Sequence, residues 1–250
     1  MRSQDARDGS IRVLTWNLYL RPRIISALLD LPKFSDRRRR IRGILRVIDR
    51  GKYDILCIQE AFLRAIKRAL LRRHPHFYRK LTHRFSLRLH SGLMILSRLP
   101  ILNRSGMIFR GRLAGGRLAD GWVDKGVMHA EIEMPDGPLH VFTTHLQAED
   151  YPEVRRAQIH QAAAFIKEYK GRALFAGDFN LEKSEMELMK PILDLGFIDT
   201  WGVSNPGEVG NTWPETGQRY DLVLSRDLPV SGVDLLPTRW SDHYGVVATL

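Results

Sequence analysis

Six short polar words recur along the 250 residues, each at or beside an end of an apolar run: TWN (Thr15 to Asn17), IQE (Ile58 to Glu60), TTHLQA (Thr143 to Ala148), GDFN (Gly177 to Asn180), RYD (Arg219 to Asp221) and SDH (Ser241 to His243). Five of the runs, RVLTWN, DILCIQE, LHVFTTH, RALFAGDFN and YDLVLS, have the length and content of buried strands. Taken singly, a strand ending on a polar residue is ordinary, because that residue marks where the chain leaves the core for water. Asn17 could close a turn, Glu60 could cap a helix and His243 could be a satisfied histidine. Repetition changes the reading. If the runs are neighbouring strands, their ends converge on one rim and gather a glutamate, several aspartates, two histidines and two asparagines, a set suited to metal-assisted hydrolysis of a phosphoester.

Between these words the spacing predicts further elements. Ile11 to Leu18 reads as a first strand. Ser35 or Asp36 caps a helix with Ile41, Ile44, Leu45 and Ile48 on one face, ended by Gly51. Asp54 to Gln59 is a short strand. Ala61 to Arg73 is an amphipathic helix, with Phe62, Leu63, Ile66 and Leu70 inward and Arg64, Lys67, Arg68 and Arg72 largely outward. Phe77 to Leu81, Leu93 to Ser97, Met107 to Phe109, Val127 to Met134 and Leu139 to Thr144 are strands, the last two joined by a turn at Pro135 to Gly137. A glycine-rich connection, Gly111 to Gly121, reads as a mobile loop. Helices follow over Glu153 to Tyr169 and Glu182 to Leu193, and strands over Arg172 to Ala176, Tyr220 to Leu224 and Gly245 to Leu250. Helices interleave with strands, but the hairpins rule out a purely parallel sheet, so two mixed sheets packed face to face with helices outside are expected.

Apolar residues at 44%, with five Trp and ten Phe, supply a sizeable core and exclude disorder. No Pro/Ser-rich linker interrupts the chain, so residues 1–250 read as a single catalytic domain, with 1–9 as a flexible extension. No run approaches the roughly 20 apolar residues of a membrane-spanning helix. The amino terminus lacks the apolar centre of a secretory signal, so a cytoplasmic or peripheral-membrane location is expected, with secretion only if a leader has been removed. Cys57 stands alone inside an apolar run and reads as a small buried hydrophobe.

Charge is regional. From Ala61 to Ala119 there are 14 Lys and Arg and no Asp or Glu; the whole chain is +11, so everything outside that stretch sums to −3. A further cluster, Arg37 to Arg40, precedes it. A solvated face is the ordinary explanation of a charge run, but 59 residues without an acid favour a polyanionic partner: an anionic membrane surface, a nucleic acid or a polyphosphate.

The words and their order resemble the endonuclease/exonuclease/phosphatase superfamily of metal-dependent phosphoesterases. Its signature of Asn, Glu, His, Asp-x-Asn, Asp and terminal Asp-His is met by Asn17, Glu60, His145, Asp178 with Asn180, Asp221, and Asp242 with His243. The resemblance implies a four-layered α/β sandwich, two packed mixed β-sheets flanked by helices, with a Mg²⁺ site at one rim. Within the superfamily the chain is most similar to neutral sphingomyelinase-type and phospholipase C-like phosphodiesterases, through NLYLRPR, SGLMILSR, DKGVMHAEI and TTHLQAED.

That resemblance sets the expected roles. Glu60 is the magnesium ligand, an ion that keeps several waters and needs few protein groups; manganese is a possible substitute, and no Cys/His cluster with zinc spacing is present. Asn17 orients Glu60 or approaches the ion, and Asp242 adds a second carboxylate. Asp178 and His243 compete for the role of base. Asp221 fixes the His243 ring, Asn180 donates to a phosphoryl oxygen, and His145 stabilises the phosphorus centre or helps protonate the leaving alkoxide. Lys125 and Arg21 contact substrate phosphate. The expected activity is cleavage of a phospholipid head group by an activated water, with peripheral membrane contact through the basic 61–119 region. A nuclease of the same superfamily, an inositol-phosphate phosphatase and a non-catalytic binding protein are the alternatives.

Overall fold

The computed structural model describes residues 10–21, 36–79, 90–110, 123–148 and 151–250. In chain order the elements are β1 (Arg12–Leu20), α1 (Arg37–Gly51), β2 (Ile55–Ala61), α2 (Arg64–Leu71), β3 (His76–Tyr78), β4 (Met94–Ser97), β5 (Ile101–Ile108), β6 (Gly126–Ile132), β7 (Leu139–His145), α3 (Pro152–Ile166), β8 (Ala173–Asp178), a 3-10 helix (Lys183–Met189), α4 (Lys190–Leu193), β9 (Ile198–Asp199), α5 (Thr200–Ser204), β10 (Asp221–Arg226), β11 (Gly232–Leu236) and β12 (Gly245–Thr249). The 1–9 extension, Ser35 as a cap and the glycine-rich connection lie outside the described residues.

The strands make two mixed sheets of six. One runs β11-β12-β1-β2-β4-β3 and the other β5-β6-β7-β8-β10-β9. Each has the same sequence of pairings: its central pair, β1 with β2 or β7 with β8, is parallel, and the pairs on either side are antiparallel. Alternation along the strands explains the layers. In β1, Val13 faces the space between the sheets while Leu14, Trp16 and Leu18 join Ile44, Ile48, Ile66 and Leu70 of α1 and α2. In β8, Leu174 and Ala176 face the same central space while Ala173 and Phe175 pack on Ile159, Ala162 and Ile166 of α3. Both faces of both sheets are therefore covered, which is why these strands read as near-continuous apolar runs. The result is the expected four-layered α/β sandwich.

Several boundaries differ from the sequence expectations. Asp36 caps α1 by accepting from Arg39 N at 2.9 Å, but the left-handed residue that closes the helix is Lys52 (φ 47°), not Gly51. Gly51 serves packing instead: a Cβ there would lie 2.0 Å from Tyr53 Cζ. The helix expected from Ala61 starts at Arg64, because β2 continues through Ala61. Strand β5 begins at Ile101, well before Met107, since an edge strand tolerates exposed Leu102, Asn103 and Arg104 and so hides its period. The helix expected over 182–193 divides into a 3-10 turn and a short α-helix with Pro191 in its first turn. Strands β9 and β11, at sheet edges, were not anticipated.

Candidate active site

Parallel pairing puts the ends of β1 and β2 at one rim, with Asn17 opposite Gln59, and the ends of β7 and β8 at the same rim, with His145 opposite Asp178. Asp221 opens β10 directly opposite Asp178, and His243 lies just before β12. Among the described residues five non-glycine residues have positive φ, and three belong to this rim: Tyr19 (50°), Glu60 (52°) and Asn180 (49°). Strain of this kind persists where the surroundings over-determine the chain, as they do here. The close approach of β7 and β8 also needs the glycine of GDFN, since a Cβ on Gly177 would meet Thr144 O at 2.2 Å.

These ends wall a cleft of about 330 Å³ whose lining includes Asn17, Arg21, Glu60, His145, Asp178, Asn180 and His243 together with the aromatic rings of Trp213 and Tyr220. Asp178 is the hub. Its Oδ2 accepts from Asn17 Nδ2 at 2.9 Å and lies 3.6 Å from His145 Nε2 and 3.7 Å from His243 Nε2; its Oδ1 accepts from Asn180 N at 3.1 Å. His243 Nδ1 meets Asp221 Oδ2 at 2.7 Å. The Asn17 amide therefore holds Asp178 rather than Glu60, and its Oδ1 accepts from Tyr19 N at 3.0 Å. The Asn180 amide is turned to Leu146 O at 3.1 Å.

Burial in this cluster controls charge. Burial opposes the His243 imidazolium, but Asp221 and Asp178 outweigh it and raise the ring to about 10. Burial lifts Asp178 to about 7 against the pull of His243 and with a push from Asp221. His145 is held well below the usual imidazole range by burial, with Lys125 and His243 adding repulsion. Two histidines of one site thus differ in charge at neutral pH: His243 is cationic and His145 neutral.

The donors also bear on a metal. Asp178, Asp221 and His243 offer donor atoms within 4.8 Å of one another, but Asp221 and His243 already engage each other in the hydrogen bond from Nδ1 to Oδ2. Glu60 and Asp242 fit a cation better. Both are nine-tenths buried, and burial, together with the charge of Glu60, raises Asp242 to about 6 against the pull of His243. Carboxylates are the hard donors magnesium takes; Glu60 lines the cleft, whereas Asp242 feels its charge but is not among the lining residues. Arg21 answers part of that charge, its Nε 2.9 Å from Glu60 Oε2, and its guanidinium lies over the Tyr19 ring at 4.4 Å. Lys125 is not among the lining residues; it is 7% exposed and its Nζ donates to Leu146 O at 2.7 Å, just behind His145.

The sequence reading missed what supports this site. Trp16 Nε1 donates to His243 O at 3.0 Å, and Ser241 Oγ lies 2.7 Å from Asn17 O, so TWN and SDH are stitched together by residues between their chemical ones. Thr212 Oγ1 accepts from the backbone N–H groups of Tyr220 and Asp221. Gln59 points into the sandwich, where Nε2 reaches Thr15 Oγ1 and Thr143 Oγ1 and crosslinks the two sheets below the cleft. Arg40, one of four consecutive arginines, is 3% exposed and donates to Leu18 O, Tyr19 O and Trp240 O. A signal for Arg40 was available: it shares the apolar face of α1 with Ile44 and Ile48.

The Endonuclease/Exonuclease/phosphatase family model matches residues 14–243, and the chain belongs to that family. By sequence it is 31% identical to Sphingomyelinase C of Bacillus cereus over 161 residues, which take in 58% of this chain and 46% of that protein, so the match spans less than half of the relative. Among solved structures, a mutant beta toxin from Staphylococcus aureus with bound magnesium ions superposes with a TM-score of 0.71 at 17% identity, covering 96% of this chain and 99% of that one. D. rerio TDP2 complexed with single strand DNA product gives 0.69 at 17% identity, over 96% and 98%. At such identities these structures share the fold alone.

Proposed function

We propose that the protein is a magnesium-dependent phosphodiesterase that removes the head group of a phospholipid, as a sphingomyelinase or phospholipase C does. The observation that carries this reading is the sequence identity to Sphingomyelinase C, joined to a site in which Asp178 binds Asn17 while lying beside a charged and a neutral histidine. Glu60 and Asp242 would hold magnesium, with manganese able to replace it. When bound, the ion neutralises phosphoryl oxygens and lowers the pKa of a nearby water.

The chain's own residues supply the rest. Of the two candidates for the base, Asp178 is the better one, because Asp221 keeps His243 protonated. Asp178 takes a proton from water as the bond from water oxygen to phosphorus forms and the bond from phosphorus to the alkoxide breaks, and the departing alkoxide takes a proton from the His243 imidazolium, which Asp178 then restores. His243, as a cation, offsets charge on the phosphoryl oxygens, and neutral His145 donates a hydrogen bond to them. Arg21 meets the substrate phosphate at the cleft wall. Lys125 acts from behind, through its charge and by fixing the Leu146 carbonyl to which Asn180 also bonds.

The test is turnover of sphingomyelin-containing vesicles against phosphatidylcholine vesicles and nicked plasmid, each in Mg²⁺ and in EDTA. Release of phosphocholine from sphingomyelin, abolished by EDTA, is expected. Cleavage of the plasmid with no lipid turnover would move the protein to the nuclease reading, which the fold shared with DNA-bound TDP2 keeps in view. Activity undiminished in EDTA would remove magnesium from the account.

A further inference from the structure

The arginines of α1 and α2 break two rules of helix stability at once. Arg38, Arg42 and Arg46 form one exposed row at i, i+4 spacing, and Arg64, Arg68 and Arg72 form another along α2 and its C-terminal cap. Like charges at that spacing weaken a helix. The backbone dipole favours negative charge at a helix N-terminus, yet Arg38 and Arg64 stand in the first turns; α1 keeps one carboxylate, the Asp36 cap, and α2 has none. On the opposite outer layer α3 follows the rule, with Glu153 in its first turn. Stability does not explain the arginines, so a ligand for them is the better account.

The two rows lie on one layer. Arg73 Nε and Nη2 bind the two oxygens of Asp49 at 2.5 and 2.9 Å, tying the end of α2 to α1, and the inner faces of both helices share one apolar cluster over the first sheet. Both rows also start at the catalytic rim. Arg40 fastens the first turns of α1 to the carbonyls of Leu18 and Tyr19, next to Asn17, and α2 starts four residues after Glu60. The cationic surface thus begins at the end of the molecule that holds the cleft and is half built from α1, outside the acid-free stretch at 61–119.

We propose that these two arginine rows are a docking surface for an anionic phospholipid bilayer, which holds the cleft mouth at the membrane. The choice of a bilayer over other polyanions rests on the phospholipid reading above and on the shape of the surface. Two helices side by side present a broad charged face, and neither helix carries an aromatic side chain on which bases could stack.

The experiment is flotation with phosphatidylcholine vesicles, with and without phosphatidylserine, in EDTA and with no sphingomyelin, so that binding is read without catalysis. Wild-type protein should float with the phosphatidylserine vesicles and be released by salt. A near-surface cation contributes about fivefold in partitioning, so Arg42→Glu/Arg46→Glu and Arg68→Glu/Arg72→Glu should each lower partitioning by roughly tenfold or more. Lys167→Glu/Lys170→Glu, an equal charge change at the end of α3, should lower it far less. Equal losses in all three would reduce the effect to net charge and overturn the proposal, as would indifference to phosphatidylserine. Binding of a single-stranded oligonucleotide that the row variants lose, with no vesicle binding by wild type, would assign the surface to nucleic acid instead. Turnover of a soluble phosphodiester in Mg²⁺ is measured alongside: its absence would sink the hydrolase reading and leave the docking result standing.

Discussion

Glu60 occupies left-handed backbone at the end of β2, and Arg40 lies buried beneath the neighbouring strand end; between them they show how single residues set this site. Glu60→Gln keeps the shape and removes the charge. Magnesium binding, measured by calorimetry, is expected to be lost, and turnover to fall by on the order of 10² to 10³ with the melting temperature nearly unchanged. Retained magnesium affinity would show that Glu60 is not the ligand. His243→Ala should cost on the order of 10² to 10⁴ in turnover. Arg40 acts through others: its guanidinium clamps the backbone on both sides of the seam between TWN and SDH. Arg40→Lys loses the planar fork, and a displacement of about 1 Å at the reacting groups is worth about 10² in kcat, with KM changed little. Ile44→Ala, also buried on α1, controls for loss of stability; if it lowers kcat as much at equal melting temperature, Arg40 has no positioning role.

Helix α1 supports the terminal Asp-His pair as an element. Gly43 lets the Trp240 ring lie against its backbone, where an added Cβ would come within 2.2 Å of the indole, and Arg40 bonds the same residue's carbonyl. Gly43→Ala should therefore displace Trp240 and the Ser241 to His243 loop, destabilising the protein by about 1–3 kcal/mol and lowering kcat. An unchanged melting temperature would mean that the tryptophan moves freely. The same helix shows what a sequence does and does not disclose. Its register was legible from Ile44 and Ile48, as β1, β2, β7, β8 and β10 were from apolar runs closed by reactive residues. Legibility failed where tertiary contacts decide: β11 and the start of β5 are edges with solvent on one side, and Trp16, Thr212 and Ser241 matter through bonds to residues as many as 227 positions away. The polar side chains of the cleft were legible because the parallel central pairs bring their strand ends together, whereas nothing local reveals that the ammonium of Lys125 is buried against the Leu146 carbonyl.

At the scale of the whole molecule, the second sheet carries a titrating group far from the cleft. His129 is 1% exposed, its Nδ1 2.8 Å from Ser105 Oγ and its Nε2 3.0 Å from His140 Nδ1; burial, with repulsion from His140, lowers it to about 3. The folded state therefore prefers the neutral ring. Its contribution is complete above the unfolded value of about 6.5 and is lost as pH falls from there toward 3, amounting to about 2 kcal/mol by pH 5. Wild type should lose several degrees of melting temperature between pH 7.5 and 5, and His129→Gln should flatten that slope; an identical slope in both would exclude His129 as its source. The first sheet has a different whole-molecule property. Strand β12 occupies the place between β1 and β11, and Leu250 N bonds back to Ile11 O, so the earliest strand waits for the latest. During synthesis on a ribosome the second sheet can close while β1 still lacks its neighbour and Asp221 its imidazole. Until residues 243–249 have left the tunnel the cleft lacks one of its walls, so a nascent chain cannot yet carry the activity proposed above.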